Sequence, residues 1–223
     1  FVDLALFNNK TFSGATLSNF LLNGAAVTLL VSLALVQQEA GLSSLQSGLI
    51  TVGYLVAILS TIRVGEKLLQ KMGPRKPMLL GCCITGLGIL LTTFTFLLAK
   101  EYIITAFIGF TLFGIGLGFY ATPSTDAALS NVPDDKAGSA SGIYKMASSL
   151  GAAFGVAISA AIFYGLSNRK GFSPMADIFM GRTDNVTVRY AAGMGLLFNI
   201  FMVIVAIVAI LITVPKAGIK NSI

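Results

Sequence analysis

Six long apolar runs dominate the sequence, and each is close to the ~20 residues that an α-helix needs to cross a bilayer. They lie at about residues 12–36, 45–63, 77–99, 102–130, 138–166 and 190–214. Because the bilayer core has no water to satisfy backbone polar groups, a spanning segment is either a helix or a strand of a closed barrel. The apolar runs lack the period-two alternation that barrel strands show. The sequence therefore predicts an all-α membrane protein with six transmembrane helices.

Composition narrows the class of protein further. Only 11% of the residues are charged and 55% are hydrophobic, whereas soluble domains average about 25% charged residues. The net charge of +6 comes from few cations placed mostly beside predicted membrane ends, so we expect no nucleic-acid partner. The chain has no histidine, and it shows no nucleophile–base pair, phosphate loop or metal-ligand cluster. We therefore expect no enzyme activity, no metal site and no cofactor.

The distribution of positive charge predicts the orientation in the membrane. A basic loop at residues 63–76 has five cations and the single acid Glu66. Cytoplasmic loops are enriched in Lys and Arg, and the tail with Lys216 and Lys220 fits the same side. Six spans place both chain ends on one side, so we expect the C-terminus to be cytoplasmic. Because the first residue is Phe1 and not Met, we also expect the chain to be part of a longer protein.

Two charged residues lie in the interior of predicted spans. A charge at the centre of a membrane helix costs roughly 2.5–3.5 kcal/mol, so such groups pair, become neutral or face water. Asp126, in the fourth span, is a candidate for proton coupling or substrate contact, unless it lies close enough to the interface to be solvated. Lys145, in the fifth span, either pairs with Asp126 across a tight hairpin or snorkels to the interface. A pair would favour a gating role for both residues.

Polar and aromatic residues suggest where a cavity could lie. Asn19 and Asn23 are one turn apart on the first span and share a face, so they either line a water-filled cavity or hydrogen-bond a neighbouring helix. Tyr120 and Tyr144 could add an aromatic lining to that cavity.

Glycines are spaced for close helix packing on the fourth and fifth spans. Small residues four apart let helix backbones approach each other closely. The glycines are Gly114, Gly116 and Gly118 on the fourth span, and the pairs Gly138 with Gly142 and Gly151 with Gly155 on the fifth.

The basic loop resembles the loop between the second and third helices of each half in the major facilitator superfamily. Alignment on Gly73 places Lys71 and Arg75 on the basic positions of that pattern. Gln70 stands where the pattern has an acid, and Glu66 is a possible substitute. With Lys145, the resemblance yields a set of ion-pair or gating candidates. These are Lys145, Arg63, Glu66, Lys71 and Arg75.

Three further stretches resemble the late helices of the fourteen-span drug:proton antiporters of that superfamily. They are residues 114–118 followed by Ala-Thr-Pro-Ser-Thr, residues 132–142 and residues 149–155. The resemblance implies a C-terminal six-helix half-bundle whose partner is the N-terminal half of the same transporter. It supports the residues of the first and fourth helices, Asn19, Asn23, Tyr120 and Asp126, as candidates that line the cavity.

The function implied by this resemblance is proton-coupled multidrug efflux by alternating access in a bacterial cell membrane. The expected partners are protons, small amphipathic drugs such as quinolones and cationic compounds, and the lipid bilayer. Fold does not determine the direction of transport or the substrate. A proton-coupled symporter or uniporter of a metabolite, and a non-transport membrane scaffold, therefore remain open as alternatives.

Overall fold

A computed structural model describes residues 4–26, 43–97, 99–167 and 186–216. Within these ranges the chain forms α-helices and two short 3-10 helices, Leu4–Asn8 and Asp134–Lys136, and contains no strand. The α-helices are α1 (Lys10–Ala25), α2 (Ser44–Met72), α3 (Arg75–Thr92), α4 (Ala99–Leu129), α5 (Ala137–Ser167) and α6 (Val186–Thr213). The predicted all-α fold is therefore confirmed.

Among the described residues, five helices are long and apolar enough to cross a membrane, by length and composition. These segments are Gly48–Met72, Arg75–Thr92, Lys100–Leu129, Asp134–Ser167 and Val186–Thr213. The predicted first span, 12–36, begins within α1, and its residues 27–36 lie outside the described part of the chain.

Helix α2 continues past the predicted end of the second span at residue 63. The basic loop is therefore mostly helical. Its sequence is rich in Lys, Arg, Glu and Leu, which favour helix even where the chain is no longer apolar. The helix ends at Met72, and the following residue, Gly73, has a φ of 71° in the left-handed region. Its N–H donates to the Leu69 carbonyl at 2.9 Å, as in a glycine C-terminal cap.

Close contacts between helices show that chain direction alternates from helix to helix. Helices α3 and α4 are antiparallel, and so are α1 and α6, because residue numbers rise along one helix as they fall along the other. Helices α1 and α5 are parallel, and so are α2 and α4. The contacts are Gly81–Gly116 and Gly88–Gly109, Gly14–Thr213 and Gly24–Met202, Phe20–Gly151 and Gly24–Gly155, and Gly53–Thr111 and Gly65–Gly118. Such alternation is what successive membrane crossings require.

Hydrogen bonds place the start of α1 and the end of α6 at the same end of the bundle as the basic loop. Thr11 Oγ1, in the first turn of α1, donates to the Thr213 carbonyl at 3.4 Å. Arg75 Nη2, at the start of α3, donates to the Leu211 carbonyl near the end of α6 at 2.8 Å. This end is called the basic end below.

The helices that pack most closely are mostly not consecutive in the chain. Helix α1 packs on α5 and α6 and also touches α4, while α4 packs most extensively on α2 and α3. Helices α4 and α5 are consecutive but make few contacts, so they do not form the tight hairpin predicted from the sequence. The largest buried cluster of the described residues lies among α1, α3, α4, α5 and α6, and it includes Phe12, Met78, Ile89, Phe113 and Ile210.

The glycine prediction is confirmed for part of its residues. An added Cβ at Gly151 or Gly155 would strike the backbone of α1, and one at Gly114 would lie 2.5 Å from the Tyr54 carbonyl oxygen. At Gly138 and Gly142 an added Cβ would meet nothing within 4 Å in the described part of the chain. Within the described residues, the prediction of close packing is therefore wrong for Gly138 and Gly142.

Candidate functional site

A cavity of about 280 Å³ lies between α1, α2, α4 and α5. Its wall combines amide, hydroxyl, aromatic and aliphatic side chains with one cation. The lining residues are Asn19, Leu22, Asn23, Tyr54, Ile58, Leu117, Tyr120, Ala121, Thr125, Tyr144, Lys145 and Ser148. The structure thus brings together five residues that the sequence singled out on three separate helices.

The two asparagines of α1 both line this cavity and connect helices. Asn19 is 5% exposed, and its Nδ2 donates to the Tyr144 carbonyl of α5 at 3.1 Å. Asn23 Nδ2 donates to Asn19 Oδ1 and to the Asn19 carbonyl, each at 2.8 Å. The two predicted alternatives, cavity lining and hydrogen bonding to a neighbouring helix, therefore both hold for Asn19.

Buried serines hold the two tyrosine hydroxyls of the wall. Tyr120 OH lies 2.7 Å from Ser18 Oγ on α1, and Tyr144 OH lies 2.8 Å from Ser124 Oγ on α4. Both serines are fully buried. Because each phenol is anchored at its tip, the rings have defined positions and form a rigid polar-aromatic wall.

Sequence reasoning missed both serines, although a positional signal was present. Ser124 follows Tyr120 by four residues and so lies on the same helix face. Ser18 immediately precedes Asn19. Tyr54 and Ile58 of α2 were also missed, because only the packing of α2 on α4 brings that helix to the cavity.

Lys145 is the only charged residue among those that line the cavity in the described part of the chain. Its side chain is exposed. Lys145 follows Tyr144 in the chain, and the backbone carbonyl of Tyr144 accepts the hydrogen bond from Asn19 Nδ2. The cavity wall of this chain therefore has a positive charge beside amides and phenols.

Asp126 does not line the cavity. It is half-buried, and its Oδ1 accepts a hydrogen bond from Ser130 Oγ at 2.7 Å. Thr125 does line the cavity, and the next residue on a helix points about 100° away. Among the described residues Asp126 and Lys145 form no ion pair, so of the two predicted alternatives for Lys145 the structure does not show the pairing. Lys145 lines the cavity between α4 and α5, whereas Asp126 does not.

The remaining gating candidates lie at the basic end, apart from the cavity. Arg63, Glu66 and Lys71 are exposed on the last turns of α2. No ion pair joins them to one another within the ranges that the structure describes. Arg75 is half-buried and bonds the end of α6 through the Leu211 carbonyl.

Comparison with known proteins identifies close relatives. The family model of the Major Facilitator Superfamily matches residues 12–222 of this chain. The quinolone resistance protein NorB of Staphylococcus aureus strain JH9 is 49% identical over 215 residues, which is 96% of this chain and 43% of the relative. NorB of strain Newman matches with the same identity and coverage. The chain therefore spans less than half the length of these curated relatives.

Proposed function

Because the chain belongs to the Major Facilitator Superfamily, we propose that it is the C-terminal half of a proton-coupled multidrug exporter that works by alternating access. The main support is the 49% identity, over 96% of the chain, to a protein named for quinolone resistance. In this proposal the N-terminal half of the same transporter covers the cavity and completes the substrate site.

The chemistry of the cavity fits amphipathic drugs. Tyr120 and Tyr144 offer aromatic surface, and Asn23 offers an amide carbonyl to a hydrogen-bond donor. Lys145 provides a cation that can bind a carboxylate through a charge-assisted hydrogen bond. In this proposal the C-terminal half binds the acidic group of a quinolone. For a drug that carries only positive charge, the N-terminal half provides the acidic side chain.

Asp126 is the proposed proton-carrying group of this half. It lies on α4 within a membrane-spanning segment, and it is half-buried next to the cavity-lining Thr125. No cation lies within ion-pair distance of it among the described residues. The membrane potential supplies about 2.3 kcal/mol per charge and 100 mV, which is enough to drive exchange of protons for drug.

The proposed orientation places the basic end in the cytoplasm of a bacterial cell. This follows from the excess of Lys and Arg at that end and the positive-inside rule. The protein is then a multi-pass protein of the cell membrane with a cytoplasmic C-terminus.

Efflux measurements on cells that express the full-length gene test this function. We expect norfloxacin and ethidium efflux above that of cells with empty vector, and collapse of the difference when a protonophore is added. Efflux that survives the protonophore would contradict proton coupling. No efflux of either compound would favour a metabolite symporter or uniporter, and absence of any transport would favour a scaffold.

A further inference from the structure

A second cavity, of about 430 Å³, lies at the basic end between the start of α3 and the end of α6. It is lined by Arg75, Lys76, Leu79, Leu211 and Lys216. Three of these five residues are cations and none is an acid. The cavity shares no residue with the substrate cavity and plays no part in the proposed transport step.

The cations of this second cavity have donors free for a ligand. Arg75 uses Nη2 to bond the Leu211 carbonyl at 2.8 Å, which holds its guanidinium across α3 and α6. A guanidinium has five N–H donors in a rigid fork, so several remain after this bond. Lys76 and Lys216 are exposed and form no ion pair within the described ranges. Three positive charges held together favour an anionic ligand.

The surface next to the cavity is apolar. On α3 the side chains of Leu80 and Leu87 are 43% and 56% exposed, and on α6 those of Ile204 and Val208 are 52% and 46% exposed. On each helix both residues lie farther from the basic end than the residues that line the cavity. A ligand that fits the whole surface therefore has an anionic group at the cavity and hydrocarbon chains that run along α3 and α6.

We propose that this second cavity binds the phosphate headgroup of an anionic phospholipid, with the acyl chains on the apolar faces of α3 and α6. Arg forms paired hydrogen bonds with phosphate oxygens, and Lys adds point charges. Basic pockets between transmembrane helices on the cytoplasmic side are suited to such headgroups. Bound lipid offsets the repulsion among the three cations and so stabilises the contact between α3 and α6.

Lipid titration of the purified full-length transporter tests this proposal. The protein in a neutral detergent is titrated with phosphatidylglycerol or with phosphatidylcholine of the same acyl chains, and bound lipid is counted by native mass spectrometry. We expect tighter binding of phosphatidylglycerol. The double variant K76Q/K216Q should weaken that binding by about 30-fold, since each surface cation contributes roughly fivefold, and should leave phosphatidylcholine binding unchanged.

A matched control separates a defined site from general charge attraction. K67Q/K71Q removes two exposed lysines at the same end of the molecule but outside the cavity, and should retain phosphatidylglycerol binding. Equal loss in both double variants, or no loss in either, would overturn the proposal. Because a folding defect would also reduce lipid binding, both double variants must elute as monodisperse protein in size-exclusion chromatography. The single variant K216Q is a milder test, with an expected roughly fivefold loss of phosphatidylglycerol affinity.

Soluble anions distinguish a lipid site from a phosphate site. Inorganic phosphate or glycerol phosphate at millimolar concentration should leave phosphatidylglycerol bound, because neither contacts the apolar faces of α3 and α6. Full displacement by either anion would show that the cavity binds free phosphate and would overturn the assignment to lipid.

Discussion

Gly155→Ala should separate α1 from α5. An added Cβ at Gly155 would lie 2.7 Å from both the Cα and the carbonyl carbon of Gly24. Carbon atoms in contact are normally about 3.5 Å apart, so the helices must move by roughly 0.8 Å. Because the blocking atoms belong to the backbone, no change of rotamer relieves the clash.

The energetic cost follows from two opposing effects of this substitution. Overpacking typically costs about 1–3 kcal/mol, while alanine favours a helix over glycine by about 1 kcal/mol. We therefore expect a net loss of stability of up to about 2 kcal/mol.

The same displacement reaches the substrate cavity. The bond from Asn19 Nδ2 to the Tyr144 carbonyl is 3.1 Å long and joins the two helices that would separate. An increase of roughly 0.8 Å would take it beyond hydrogen-bond range. Drug efflux should therefore fall together with stability.

The assay compares the full-length transporter with two glycine substitutions on the same helix. Gly142→Ala is the control, because an added Cβ there meets nothing within 4 Å among the described residues. The readouts are the apparent unfolding temperature in detergent and the rate of norfloxacin efflux. If Gly155→Ala unfolds at the same temperature and exports drug as fast as Gly142→Ala, the reasoning on this helix crossing is refuted.

Three further predictions concern the candidate site. Lys145→Gln should lower the ratio of norfloxacin export to ethidium export about tenfold or more, because norfloxacin has a carboxylate and hydrogen bonds to charged groups are strong. If Lys145→Gln and the exposed control Lys67→Gln gave the same ratio, carboxylate recognition would be contradicted. Tyr144→Phe removes the bond to buried Ser124 and should destabilise the transporter by about 1 kcal/mol, measured as a lower unfolding temperature; an unchanged temperature would show that this bond contributes nothing. Asp126→Asn should abolish drug-induced proton flux in proteoliposomes at normal expression, and unchanged flux would exclude Asp126 as the proton carrier.

Much of the architecture could be read from the sequence because a bilayer imposes local constraints. Span length, apolarity and the charge of the basic loop are properties of short segments, and they predicted the all-α membrane fold. The resemblance to the superfamily, drawn from that loop around Gly73 and from the glycine-rich stretches, is confirmed by the family model that matches residues 12–222. Helical spacing also placed Asn19 and Asn23 on one face, where the structure finds them at the cavity.

Other features depended on tertiary structure. The sequence could not show that Lys145 lines the cavity and that Asp126 does not. It could not show which glycine pair meets a neighbouring helix, or that Arg75 and Lys216, far apart in the chain, line one cavity. The physical reason is that lipid and protein interior are similarly apolar, so hydrophobicity alone does not reveal which face of a membrane helix is buried. That choice is made by close packing and by hydrogen bonds between helices, which exist only once the bundle has formed.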